Sequence, residues 1–249
     1  MALNIDTVSP ALVCLLTYPR TSREAALARL VELRLLGISR IILEGNLELC
    51  GVRILGKGTN SVVFKAYHRS LGTVLIKALR LDASRVTLLR EAAILKRVNA
   101  LGYRPRIFSY SANFIVREYI RGIPLSAWLR TASPHRLRKV LLDLLDMLYR
   151  LDRAGISHGE LSIPGDHILI SEDGSPVIID YESASLTRKK KNLTQFIQYI
   201  LFKSRNILEN KLKITLDIES IINLLRDYKR STSGEILIEI ERRLGLIKK

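Results

Sequence analysis

The sequence predicts an α+β fold with a strand-rich front and a helical back. β-Branched runs punctuated by glycine occupy about residues 47–77, and leucine stripes at helical spacing dominate the back of the chain. The 249 residues suffice for two lobes, each with a buried core, meeting near residue 118. The expected organisation is a helical N-terminal extension (1–46), a front lobe (47–118) and a back lobe (119–249).

In chain order, residues 22–36 read as an amphipathic helix, with Thr21 and Glu24 as a capping box and Gly37 as C-terminal cap. Val52 to Leu55, Val62 to Phe64 and Val74 to Ile76 read as three strands of one sheet. A helix from about Ser84 to Leu101 follows, with Asp82 as its cap, and Phe114 to Val116 is a further strand. Leu125 to Leu129 is expected to be helical, with Trp128 in a packing role. Ser133 and Pro134 open a long helix carrying Leu137, Leu141, Leu144, Leu145, Leu148 and Leu151 and ending at Gly155. Two apolar strands, Ile168 to Ile170 and Val177 to Ile179, flank the turn Glu172-Asp173-Gly174-Ser175, and the remainder from Leu193 is helical.

Hydrophobic residues make up 47% and charged residues 26%, the balance of a soluble globular protein. The apolar stretch Ala11 to Leu16 is too short to span a bilayer and has no basic residue ahead of it, so a cytoplasmic location is expected. Cys14 and Cys50 are too few and too far apart for a disulfide framework or zinc site, and both read as small buried hydrophobes. Only Gln195 and Gln198 represent glutamine, a scarcity that suits a thermophilic source. The net charge of +16 is unevenly spread. Residues 101–140 hold eight Lys or Arg against Glu118 alone, and residues 188–213 hold eight against Glu209 alone. Such concentration is the footprint of a polyanion binder.

Gly56-Lys57-Gly58-Thr59-Asn60-Ser61 lies between two expected strands, where glycines let the backbone approach a phosphate. A Gly-rich β-turn gives the same pattern. A Walker loop starting at Gly51 fails because Gly58 stands where the magnesium-binding hydroxyl is required. Lys77 closes an apolar strand fourteen residues beyond Val63. Glu91 shares a helical face with Leu88 and Leu95, and a carboxylate in an apolar stripe is costly unless paired, which makes Lys77 its expected partner. Farther on, Val177 to Ile179 runs into Asp180, and a carboxylate ending an apolar strand suits magnesium.

In this order the elements resemble a protein kinase, specifically the minimal archaeal RIO-type atypical kinases, from about Leu55 to Tyr199. The resemblance implies a bilobal kinase-like fold. Gly56, Lys57, Gly58, Thr59, Ser61 and Val63 would cover ATP, Lys77 and Glu91 would hold its phosphates, and Glu118 to Ile120 would line the adenine edge. Glu160, in His158-Gly159-Glu160-Leu161, takes the place of the catalytic aspartate, and Asp180 that of the metal-binding one. Ser61 replaces the third glycine, Glu160 is one methylene longer than aspartate, and His167 stands where a magnesium-binding asparagine is usual, so that either Asp166 supplies a second metal ligand or this side holds no metal. No A-P-E segment follows Asp180; the basic run Arg188, Lys189, Lys190 and Lys191 occupies its place and reads either as a solvated loop tip or as a guide for RNA, the role the charge surplus beside it favours. The expected activity is transfer of phosphate from ATP, with Mg2+, to a hydroxyl of structured RNA, foremost a tRNA ribose 2′-hydroxyl. A protein Ser/Thr kinase and a non-catalytic RNA-binding module are the alternatives.

Overall fold

The computed structural model describes residues 1–164, 167–188 and 190–247. The chain divides into two compact units. One comprises Met1–Asn99 with Pro105–Tyr119, the other Ala100–Arg104 with the chain from Ile120 onward. The architecture is mixed α+β, with the larger sheet in the first unit and most helices in the second.

The first unit contains β1 (Ala2–Asn4), α1 (Pro10–Thr17), α2 (Arg23–Leu35), β2 (Ile38–Ile42), β3 (Leu47–Leu49), β4 (Val52–Ile54), β5 (Gly56–Lys57), β6 (Ser61–His68), β7 (Gly72–Leu79), α3 (Leu89–Ala100), β8 (Ile107–Tyr110) and β9 (Phe114–Glu118). A seven-stranded sheet runs β1-β2-β6-β7-β9-β8, with β5 paired on β6. Alternation along β6 and β7 divides the residues between two faces. Val62, Phe64, Ala66, Val74, Ile76 and Ala78 join Leu12, Leu15, Leu16, Leu30 and Leu33 in one core, so α1 and α2 cover that face. Val63 and Lys77, one residue out of phase, stand on the other face.

This arrangement revises several expectations. The first 46 residues are not only helical: β1 and β2 extend the sheet, and β2 pairs with β6. Val52–Ile54 is not part of that sheet but forms a separate hairpin with β3. The cap of α2 is Ser22, not Thr21, its side chain accepting from the Ala25 amide at 3.2 Å. Helix α3 starts at Leu89 rather than Ser84, because Asp82 is held by the Arg80 guanidinium at 2.8 and 2.6 Å instead of capping a helix. β8 was not visible as a sequence run.

Cys14 and Cys50 form a disulfide, with Cα atoms 5.8 Å apart, which overturns their reading as isolated hydrophobes. The physical reason is that 36 residues of sequence separation measure no distance in space. Burying the apolar face of α1 against the sheet brings Cys14 to the turn of the β3–β4 hairpin, where Cys50 sits in the left-handed region at φ 57°.

The second unit contains β10 (Gly122–Pro124), α4 (Leu125–Thr131), α5 (Pro134–Arg153), β11 (Ile168–Ser171), β12 (Pro176–Ile178), α6 (Asn192–Tyr199), a π-helical turn (Ile200–Ser204), α7 (Arg205–Leu212), α8 (Ile218–Ser231) and α9 (Gly234–Arg243). β10, β11 and β12 form an antiparallel three-stranded sheet. Ser133 caps α5, whose leucine stripe is buried as its spacing predicts, and Trp128 packs inside. Among the described residues no helix is long and apolar enough to cross a membrane.

Asp152, near the end of α5, organises the region before α6. It accepts from the Asn192 amide at 2.7 Å, Asn192 Nδ2 at 2.9 Å, the Leu193 amide at 3.1 Å and Tyr228 Oη at 3.1 Å. Burial pushes its carboxyl up to about 6, and these donated bonds oppose the rise.

Candidate functional site

In the first unit, sheet register assembles the expected nucleotide-binding residues. Val63 lies opposite Lys77 on one side and Gly56 on the other, so all three share a face. The glycine segment is a tight hairpin: the Gly58 amide donates to the Ser61 carbonyl at 2.8 Å, with Thr59 exposed at its tip. Ser61 is buried at the start of β6. On the same face, Lys77 Nζ lies 2.9 Å from each oxygen of Glu91, in the first turn of α3. Both side chains are 6% exposed, so the pair is shielded from solvent and its geometry is set by the strand and helix that carry it.

Two expected contributors point elsewhere. Lys57 reaches Tyr18, its Nζ 3.2 Å from the phenol oxygen. Glu118 Oε2 accepts from the Arg106 amide at 3.1 Å, and its own amide donates to the Arg106 carbonyl, so the residue is engaged in the β8–β9 hairpin. Ile120, assigned to the second unit, is buried.

The second unit gathers Glu160, His167, Asp180 and Ser183. Ser183 Oγ donates to Glu160 Oε1 at 2.6 Å, and His167 Nε2 lies 3.1 Å from Glu160 Oε2. His167 Nδ1 is 4.0 Å from Asp180 Oδ2. Asp180 follows β12 and adopts φ 63°, a left-handed conformation that a non-glycine residue holds only when its surroundings enforce it. His158 supplies part of that enforcement. Its Nε2 donates to the Ile179 carbonyl at 3.0 Å, its amide donates to Asn192 Oδ1 at 2.7 Å, and burial lowers its basicity. The loop before Glu160 and the strand end before Asp180 are thereby tied to one imidazole.

Gly159 has φ 98° and carries no β-carbon where the Arg188 guanidinium sits. Arg188 Nη1 donates to the Ser183 carbonyl at 3.2 Å, so a cation is held beside the residues that flank Glu160. Lys190 is exposed and Lys191 caps α6 through its backbone. Asp166 and Lys189, expected to bind metal and RNA respectively, lie outside the described residues.

The donors suit the chemistry the sequence suggests. Asp180 offers a hard carboxylate oxygen appropriate to magnesium, whereas His167 is turned toward Glu160. Sequence reasoning missed the roles of His158, Asp152 and Asn192. Their only signal was a histidine and an asparagine beside apolar runs, which ordinary core packing also produces. It likewise missed Ser183 as a partner of Glu160, because a serine after Asp180 carries no pattern.

No protein-family model matches the chain. It is 31% identical over 116 residues to the uncharacterized protein MJ1211 of Methanocaldococcus jannaschii, an alignment that spans 45% of this chain and 98% of that protein. At that identity over nearly the whole of the relative, the chain belongs to the same family as MJ1211.

Proposed function

We propose that the chain is an ATP-dependent kinase of bilobal, RIO-like fold that phosphorylates a hydroxyl of structured RNA, foremost a tRNA ribose 2′-hydroxyl. The observation that carries the reading is the buried Lys77–Glu91 pair at 2.9 Å, in register with the glycine hairpin through Val63. A charged pair taken out of water gains little stability, so its geometry points to a task, and holding a lysine for phosphates is that task in kinases.

In this reading the hairpin amides and Lys77 hold the ATP phosphates, and Glu91 keeps Lys77 aimed. Asp180 would hold magnesium, which screens the charge of the transferred phosphoryl group. The acceptor hydroxyl oxygen forms a bond to the γ-phosphorus while the bond to the β-phosphate oxygen breaks, its electron pair leaving with ADP. The hydroxyl proton passes to Glu160. Glu160 Oε1 already accepts from Ser183 and Oε2 lies 3.1 Å from His167 Nε2, but a carboxylate has about four acceptor sites and retains capacity for the acceptor hydroxyl. Arg188, held beside Glu160 by Ser183, supports a polyanionic acceptor, as does the +16 charge. A cytoplasmic site of action goes with ATP and tRNA as substrates. The Cys14–Cys50 disulfide is compatible with it in a thermophile, where intracellular disulfides persist.

The test is transfer from γ-labelled ATP with magnesium to total tRNA and a protein extract offered together, with Asp180→Ala alongside. Label in RNA that disappears in the variant is the expected result. Label confined to protein would make the chain a protein kinase. RNA binding with no Asp180-dependent transfer would make it a non-catalytic RNA-binding module.

A further inference from the structure

The glycine hairpin is gripped by a residue from outside the kinase-like segment. Tyr18, just past α1, has Arg80 Cζ 5.1 Å and Lys57 Nζ 5.3 Å from its ring centroid, and its hydroxyl accepts from Lys57 at 3.2 Å. Arg80 Nη1 donates to the Gly58 carbonyl at 2.7 Å, while its other nitrogens form a fork with Asp82 at 2.8 and 2.6 Å. The Arg80 amide donates to the Asn60 carbonyl at 2.9 Å, and the Ser84 amide donates to Asn60 Oδ1 at 2.9 Å. Tyr18 is itself anchored: its carbonyl accepts from the Leu81 amide at 3.0 Å. The helix before it is fixed by the Cys14–Cys50 bond and by Arg29, whose Nη1 donates to the Leu16 and Leu79 carbonyls at 2.5 and 2.6 Å.

A hairpin with two glycines is conformationally loose, and a loose hairpin must be ordered each time it closes on a ligand. Here Gly58 and Asn60 are held at their carbonyls by Arg80 before any ligand arrives, and Arg80 is held by the Tyr18 ring and by Asp82. We propose that Tyr18 and Arg80 are positioning residues that pre-order the Gly56–Ser61 hairpin, so that the N-terminal segment sets the affinity for nucleotide. The inference rests on the kinase reading of the same hairpin. It adds a role for a segment that the kinase resemblance does not include.

The experiment measures ATP binding by calorimetry with magnesium, kcat and KM for ATP, and amide hydrogen exchange across residues 56–61 in the free protein. Wild type is compared with Tyr18→Leu, Tyr18→Phe, Arg80→Ala and the double variant Tyr18→Leu/Arg80→Ala. Tyr18→Leu and Arg80→Ala are each expected to weaken ATP binding about tenfold, the loss of one charge-assisted hydrogen bond or its support. Exchange at the hairpin should quicken, and kcat at saturating ATP should hold. Tyr18→Phe, which keeps the ring beside both cations, should bind as wild type, and the double variant should be no worse than Arg80→Ala, because both residues act through one clamp. Unchanged ATP affinity in Tyr18→Leu and Arg80→Ala, with wild type binding normally, overturns the clamp and leaves the kinase reading standing. Wild type that binds no ATP overturns both. If Tyr18→Leu fails to fold, Arg80→Ala and Tyr18→Phe decide the matter by the same readouts.

Discussion

Arg188 occupies the space that a side chain on Gly159 would fill: a β-carbon there would stand 2.1 Å from Arg188 Nη1 and 3.0 Å from the Ser183 carbonyl oxygen. The missing methyl group of Gly159 is what lets a guanidinium settle beside Glu160. Gly159→Ala should therefore act on two counts. The left-handed φ of 98° costs an alanine about 1–2 kcal/mol of stability, readable as a lower urea midpoint. Expelling the guanidinium should also weaken tRNA binding to the level of Arg188→Ala, and Arg188→Ala should flatten the dependence of affinity on salt by about one unit of slope. Filter-binding titrations at several salt concentrations check both; a Gly159→Ala protein with wild-type RNA affinity would disconnect the seat from the acceptor.

Lys77 and Glu91 lose far more when separated than when removed together. Lys77→Ala or Glu91→Ala leaves a buried charge without its partner and should cost about 3–5 kcal/mol. Lys77→Met combined with Glu91→Leu should recover most of that loss while remaining inactive in phosphate transfer. Urea unfolding beside the labelled-ATP assay measures both. Transfer activity retained in the double variant would remove the pair from the mechanism.

The Cys14–Cys50 bond closes a loop of 36 residues of separation, for which chain-entropy reasoning gives about 4 kcal/mol. Cys14→Ser, or wild type in strong reductant, should unfold at a correspondingly lower denaturant concentration. Identical midpoints in oxidised and reduced protein would show that the covalent link adds nothing to the apolar contacts of α1.

Asp152 predicts a pH dependence with a definite sign. Its carboxyl is raised to about 6 by burial, whereas in the unfolded chain it titrates near 4. Between those values the folded state binds more protons, so this group lowers stability as pH rises through the window, by an amount on the order of 2–3 kcal/mol, complete above about pH 6. Asp152→Asn abolishes that slope. The deficit of the variant relative to wild type should be larger at pH 4.5 than at pH 7.5, measured by urea unfolding at both values. A deficit independent of pH would contradict the shift.

Much of the framework was legible because it depends on local periodicity and local punctuation. The α5 stripe from Leu137 to Leu151 needed only its spacing and Ser133-Pro134 at its head. The pairing of Lys77 with Glu91 was readable because a carboxylate on an apolar helical face demands a partner, and the strand before it ends in the lysine. Where local signals competed with distant ones they misled. Asp82 looks like a helix cap in sequence, yet a guanidinium two residues away takes it at shorter range. Val52–Ile54 has the composition of a sheet strand, and its partner was settled by the Cys50-Gly51 turn that folds it onto β3.

By itself, then, the sequence determined which residues are candidates for chemistry: the glycine hairpin, Lys77, Glu91, Glu160, Asp180 and the basic run beginning at Arg188. Composition and spacing carry that information because helix and strand periods place side chains on faces without reference to the rest of the chain. Only the tertiary structure decided that Cys14 meets Cys50, that Tyr18 holds Arg80 over the hairpin, that β1 and β2 complete the sheet, and that Asp152 and Asn192 fix His158. Each of these joins residues far apart in sequence. Such contacts arise when burying apolar faces brings distant segments together, so no local pattern records them.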